Sequence, residues 1–386
     1  MTVERAVQAY AAMQKHLYLK GARLYRESVP TAPGGNPFAY VWPFEEAAKA
    51  ALCMRGLPDV GQRYPAEIEN VVDRLAYWQP QRGEGLVRKP SYASYPPFPL
   101  GKGGDTYFDD NTWIALDLVQ SYRMRFAGRI GGADSGLDRA RQLFELVTAG
   151  WAADARPNPG GVYWVDAAWN RDRGAAVTAG LAALACHLHE LVAPDTRNGR
   201  ARPDQSKAAR GQQRYLETAQ AAYRWLRETL WIRAGTEAGL YHDKVLGTGE
   251  LDLAQWIYNQ GVPISAGVML HHMTGESAYL EQAEQTAEAA LAWYGAREYS
   301  GQPAIFVAIF FRNLLQLAHV TGNPAYRAAM QAYADLAWDD PALHDQKTGL
   351  FRFDGAGSVC SLLDQSAMVQ MLALSAWPPE QYALLA

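Results

Sequence analysis

The chain has 386 residues, of which 49% are hydrophobic and 20% charged, a composition with ample material for a core and unlike that of a disordered segment. Lys and Arg number 36 against 40 Asp and Glu, for a formal net charge of −4, so there is no basic field to hold a phosphate backbone and nucleic acid is not expected as a partner. No uninterrupted apolar run reaches the length needed to cross a bilayer, which argues against a membrane-embedded chain.

Hydrophobic periodicity predicts helix after helix, with hardly a convincing alternating strand. Start and stop signals place about twelve of them, over 3–18, 43–54, 64–78, 109–126, 137–152, 170–193, 208–232, 251–273, 277–296, 304–320, 324–338 and 359–376. The amino-terminal stretch from Met1 to Val7 lacks a charged region followed by an apolar one and a cleavage site. The expected location is therefore the cytoplasm for the sequence as it stands, or outside the cell if a leader has been removed. Cys53, Cys186 and Cys360 lie in apolar helical patterns without C-x-x-C spacing and read as small core residues.

A weak internal repeat sits in the carboxy-terminal half. Thr274-Gly275 followed by Tyr279 and Trp293 is echoed by Thr321-Gly322, Tyr326 and Trp338, the mark of stacked helix pairs. Connections also alternate in length. Long links, rich in Gly, Pro and aromatics, run over 20–42, 79–108, 153–169, 233–250 and 339–358, whereas links such as 274–276 are short. With antiparallel neighbours, every long link falls on one rim, where a site would be built. Even-numbered segments such as 305–311 and 175–182 are apolar nearly all round, while odd ones such as 279–285 and 215–220 carry one apolar stripe. Six inner and six outer helices predict an all-α (α/α)6 barrel, a six-hairpin toroid, forming a single catalytic domain over 1–386. The polar stretch 197–214 is expected to be a solvated link on the opposite rim.

The segment Gly103–Trp113 organises the expected mouth of that barrel. A glycine-rich loop there delivers Asp109 and Asp110 to a helix start. Adjacent carboxyls resist ionising together, so one can stay protonated while the other is anionic, the division of labour that glycoside hydrolysis requires. Helix capping by Asp and Asn is the competing reading. Aromatics gather on the same rim: Trp42, Tyr92, Tyr95, Tyr107, Tyr163, Trp164, Tyr241 and Tyr258. Each alone is more readily explained by packing under a loop, but together they suit a sugar groove. Candidate substrate contacts are Trp42, Tyr107, Trp113, Trp164 and Tyr258, the amides Asn259 and Gln260, and the acids Asp243 and Asp364. Asp166 is a further rim acid. The pairs His187 and His189, and His271 and His272, diverge on a helix and make poor chelates, so no metal is expected. Neither a phosphate-binding glycine loop, nor a dinucleotide fingerprint, nor a nucleophile elbow is present, and no cofactor is expected.

Tyr107-Phe108-Asp109-Asp110-Asn111-Thr112-Trp113 resembles the aromatic-aromatic-Asp-Asp-x-x-Trp signature of glycoside hydrolase family 76, the endo-α-1,6-mannanases. Gly160–Trp164, Gly239–Asp243, Tyr258–Gly261 and Thr274-Gly275 followed by Tyr279-Leu280 recur in similar order in that family, so the resemblance covers most of the chain. It implies an (α/α)6 barrel and retaining hydrolysis of α-1,6-linked mannosides or related α-linked oligosaccharides or polysaccharides. Asp109 matches the family nucleophile and Asp110 its acid/base. Where a basic residue is expected near the start of the tenth helix, this chain has Ile305-Phe306-Val307-Ala308, and its subsites are expected to differ accordingly. The alternatives are a sugar epimerase or isomerase on the same barrel, which would need a proton-shuttling base such as His242, a non-catalytic glycan-binding protein, and a helical-repeat scaffold.

Overall fold

In a computed structural model the described residues are 2–31, 34–64, 75–79, 87, 89–127, 136–192, 205–295, 297–355 and 358–386. Among them are eleven α-helices: α1 (Thr2–His16), α2 (Val41–Arg55), α3 (Phe108–Phe126), α4 (Gly136–Ala149), α5 (Ala175–Val192), α6 (Gln205–Thr229), α7 (Tyr258–Thr274), α8 (Ser277–Gly295), α9 (Ala304–Thr321), α10 (Pro324–Asp339) and α11 (Leu362–Ala376). Of the helix expected over 64–78, residues 65–74 lie outside the described residues, and Leu75–Trp78 form a 3-10 turn.

The ring closes through its inner helices. Contacts run from α2 to α3, α5, α7, α9 and α11, and from α11 back to α2, while α4, α6, α8 and α10 each back onto an inner neighbour and α1 lies against α11. This is an (α/α)6 barrel. The inner helices are the ones whose sequences lack a polar face: in α7 every residue from Asn259 to Leu270 is buried, and α9 is buried from Ala304 to Leu317 except at Phe306. By length and composition α9 would pass as a membrane span, but its apolar surface is spent on the ring. Outer helices bury one stripe, such as Tyr215, Ala219, Ala222, Tyr223 and Leu226 of α6.

Glycine sets the spacing of two inner helices. A Cβ on Gly261 of α7 would stand 2.7 Å from Cα of Phe310 in α9, closer than packed atoms approach. Charge is also buried inside the ring. Lys49 of α2 lies 2.8 Å from Glu45, 3.1 Å from Glu46 and 3.8 Å from Asp117 of α3. Burial and the Asp117 charge together hold the Glu45 carboxyl well above its ordinary range, so part of this cluster is neutralised by a proton.

Four expectations about boundaries need correction. The stretch 205–214 opens α6, in keeping with the helix expected over 208–232 and against the link expected over 197–214, while 193–204 lie outside the described residues. Its mixed charge reads as a solvated link in isolation, yet Arg214 pairs with both oxygens of Glu145 on α4 at 2.5 and 2.9 Å. Residues 170–174 and 251–257 are not helical. Arg173–Gly174, Lys244–Val245 and Leu251–Asp252 form a three-stranded antiparallel sheet, with strands too short for alternation to register in sequence. Likewise Cys360–Ser361 pairs with Ser28–Val29 just before α11 begins.

Candidate active site

The first turns of all six inner helices meet at one cavity of about 480 Å³. Trp42 and Pro43 of α2, Asp109, Asp110 and Trp113 of α3, Ala175 to Val177 of α5, Tyr258 of α7, Phe306 and Ile309 of α9 and Leu363 of α11 all line it. The long connections add Glu27, Tyr40, Ser94, Tyr107, Trp164, Asp243 and Lys244. Because every inner helix begins here, six positive helix ends face the same space.

Asp109 and Asp110 lie in the first turn of α3, whose N-cap, Tyr107, makes no side-chain capping bond. Capping therefore does not account for both acids. Asp109 Oδ1 accepts from the backbone N–H of Asp110 at 3.0 Å, and its Oδ2 accepts from Trp164 Nε1–H at 2.9 Å. Among the described residues, no hydrogen bond is made by the Asp110 carboxyl. Neighbouring Asn111 is structural: it accepts from Tyr92 N at 2.8 Å and donates to the Tyr92 and Tyr107 carbonyls at 3.0 and 2.7 Å, tying the helix start to the preceding loop.

Electrostatics separate the two acids. Burial pushes Asp109 up to about 6, opposed by the bonds from Asp110 N–H and Trp164 and assisted by the Asp243 charge. Burial and then the Asp109 charge hold Asp110 well above its ordinary value. The pair titrates as a unit, and its singly protonated form places the proton on Asp110, which lacks the hydrogen bonds that favour ionisation of Asp109.

Asp243 Oδ1 accepts from Asn259 Nδ2 at 2.8 Å, and burial raises its carboxyl. Lys244 stands 3.5 Å from Asp172, 3.8 Å from Asp243 and 3.9 Å from Asp252, so its charge is already compensated by acids. Across the cavity an apolar wall is formed by Tyr258 stacked on Phe306 at 4.1 Å and 24°, with Trp42 at 6.2 Å from the same ring. Trp42 Nε1–H donates to Glu46 Oε1 at 3.3 Å.

Of the residues singled out from sequence, Asp109, Asp110, Trp42, Tyr107, Trp113, Trp164, Asp243 and Tyr258 share this cavity. Asn259, Gln260 and Asp364 do not line it. Asn259 orients Asp243, whereas Gln260 is fully buried, accepting from Tyr241 N at 2.7 Å and donating to the carbonyls of Tyr241 and Trp256 at 3.1 and 3.0 Å. It fastens the loop over α7. Asp364 is held at the start of α11, where Ser361 Oγ accepts its backbone N–H at 3.0 Å, and burial raises its carboxyl to about 6. Asp166 accepts from Val87 N at 2.9 Å and is a loop anchor. Tyr92, Tyr95 and Tyr241 are buried and Tyr163 half-buried, and none of the four lines the cavity.

Sequence reasoning missed Glu27, Tyr40, Lys244 and Phe306. Phe306 carried a signal, being the aromatic that stands where a basic residue was expected. Glu27 and Tyr40 carried none, since a backbone bond from Tyr40 N to Glu27 Oε2 at 2.9 Å folds that loop onto the rim.

Comparison with known proteins agrees with this architecture. The profile of glycosyl hydrolase family 76 matches residues 4–334. A mannan endo-1,6-alpha-mannosidase of Candida glabrata is 23% identical over 186 residues, which are 48% of this chain and 38% of that relative, so the match spans well under half of its length. Among solved structures, an alpha-mannanase of the family from Bacteroides thetaiotaomicron superposes with a TM-score of 0.78 at 16% identity, covering 97% of this chain and 95% of that one. An alpha-1,6-mannanase of Salegentibacter sp. HEL1_6, inactive after two adjacent Asp→Asn changes and holding alpha-1,6-mannotriose, gives 0.70 at 18% identity, covering 97% and 99%. With its profile match running from residue 4 to residue 334, the chain belongs to glycosyl hydrolase family 76.

Proposed function

We propose that the protein hydrolyses α-1,6-linked mannosides with retention of configuration, Asp109 acting as nucleophile and Asp110 as acid/base. The observation that carries this is the asymmetry of the pair. Asp109 receives two hydrogen bonds that favour its charge, while the Asp110 carboxyl receives none among the described residues and is raised by burial and by the Asp109 charge.

In the first step the Asp110 proton passes to the glycosidic oxygen while a carboxylate oxygen of Asp109 bonds to the anomeric carbon. The bond between that carbon and the leaving oxygen breaks, and the leaving sugar departs as an alcohol. Asp110, now a carboxylate, takes a proton from water as the water oxygen attacks the anomeric carbon and Asp109 is released. Desolvation suits Asp110 to both halves, because it keeps the acid neutral before the first and strengthens the base in the second. Asp243, held by Asn259, and the Tyr258–Phe306 wall offer a hydroxyl partner and an apolar face to the sugar.

Hydrolysis of α-1,6-mannobiose through mannotetraose is the direct test, comparing wild type with Asp109→Asn and Asp110→Asn at matched circular dichroism. Loss of cleavage in both folded variants supports the assignment, and inverted product by NMR excludes the covalent step. Binding without cleavage by the wild type would instead favour a glycan-binding protein. An epimerase is disfavoured by the cavity itself, since among the described residues no histidine lines it and His242 is not part of its wall.

A further inference from the structure

A cavity of about 480 Å³ lies towards the small end of ligand pockets, which run to ~1,000 Å³, so a glycan of any length must leave it across the rim. Trp169 stands on that rim. It is 61% exposed. Isolated exposed aromatics are common and carry no meaning by themselves, but this one is anchored. Its Nε1–H donates to Asp105 Oδ2 at 3.0 Å, and its ring meets Trp164 at 6.3 Å and 85°. Trp164 in turn donates to Asp109.

The loop beneath is laced to the segment that carries the acids. Asp166 N donates to Thr106 O at 2.8 Å, Phe108 N to Trp164 O at 2.9 Å, and Trp164 N to Asp172 O at 2.9 Å. Gly247 N donates to Asp172 Oδ1 at 2.9 Å from the neighbouring loop. The indole is thus held in place relative to Asp109 while much of its surface stays open. An aromatic fixed before its ligand arrives loses little side-chain freedom on binding. Exposed Asp105 beside it retains acceptor capacity for a ring hydroxyl.

We propose that Trp169, with Asp105, forms a distal sugar subsite outside the cavity, stacking on a pyranose ring of the glycan beyond the units at the cleaved bond. This makes Trp169 a specificity-determining residue for chain length, and it rests on the α-mannoside reading above. The Asp105 hydrogen bond is central to the geometry: it keeps the indole from turning down onto the surface. An open cavity alone would bind short and long chains alike, whereas the platform adds contact only when the glycan reaches it.

The test is kcat/KM along an α-1,6-manno-oligosaccharide ladder for wild type, Trp169→Ala and Trp169→Phe. Trp169→Ala should lower the value about tenfold on the longest members, the scale of one lost stacking contact, and leave the shortest cleaved member unchanged. Trp169→Phe should keep most of the wild-type length dependence. Equal loss at every length would assign Trp169 to support of Trp164 and Asp109 and overturn the proposal, as would no loss at any length. A second arm titrates the same ladder calorimetrically into Asp110→Asn protein with and without Trp169→Ala. Affinity that rises with length only when Trp169 is present supports the subsite even if the wild type cleaves nothing, an outcome that removes the hydrolysis reading alone. Length-independent binding, or none, removes the subsite.

Discussion

Replacing Trp164 by Phe probes the balance between the two acids without touching either. The indole N–H donates to Asp109 Oδ2 at 2.9 Å and favours the charged form of a carboxyl already pushed up to about 6. A hydrogen bond to a charged group contributes about 1.5–3 kcal/mol, and one pKa unit corresponds to about 1.4 kcal/mol. Losing the bond should therefore raise the lower macroscopic pKa of the pair by about one to two units. The sign follows from the proposed mechanism, in which Asp109 must be ionised, so activity should fall as pH drops through that pKa. In Trp164→Phe the acidic limb moves to higher pH, with kcat/KM down roughly 5- to 50-fold near pH 6 and partly recovered as pH rises. The phenyl ring preserves part of the edge contact with Tyr107, which is 4.9 Å away in the wild type. The assay is kcat/KM against pH on one oligosaccharide, with melting temperature checked at each end. A limb that stays in place while activity falls equally at every pH would refute the role given to this hydrogen bond.

Three further outcomes follow from other parts of the ring. Asp110→Asn should reduce cleavage by about 10²–10⁴-fold and raise the melting temperature at pH 7. The folded-state pKa of Asp110 is raised, so stability from its neutral form is complete below the unfolded value and is lost as pH climbs through the folded one. The amide escapes that loss, and its advantage should disappear near pH 4; a wild type at least as stable at pH 7 would contradict the desolvation argument. Gly261→Ala forces a Cβ to 2.7 Å from Phe310 Cα and should destabilise the barrel by about 1–3 kcal/mol in denaturant unfolding. Lys49→Met strips the cation from Glu45, Glu46 and Asp117 and should destabilise it by about 3–5 kcal/mol, an effect that urea titration would measure.

Periodicity was enough to find the inner helices, because a helix buried all round, such as α9, has no polar face to disguise it. The same logic separated inner from outer layers and put the long connections on one rim. Motif spacing singled out Asp109 and Asp110. It failed where a residue's task depends on what the chain brings beside it. Gln260 and Asp364 looked like substrate contacts, since an amide or acid at a helix start reads the same whether it meets sugar or backbone. Residues 208–214 read both as the start of a helix and as the end of a link, and the helix prevails where Glu145 supplies the partner for Arg214.

By itself, then, the order of apolar and polar residues determined a ring of helix pairs and the helix end on which two carboxyls sit, for these are local properties of period and adjacency. Only the tertiary structure gave the two acids different surroundings. Trp164 reaches Asp109 from 55 residues away in sequence, and nothing reaches the Asp110 carboxyl among the described residues. The unequal hydration and hydrogen bonding that split the pair arise from segments that meet only when the ring closes.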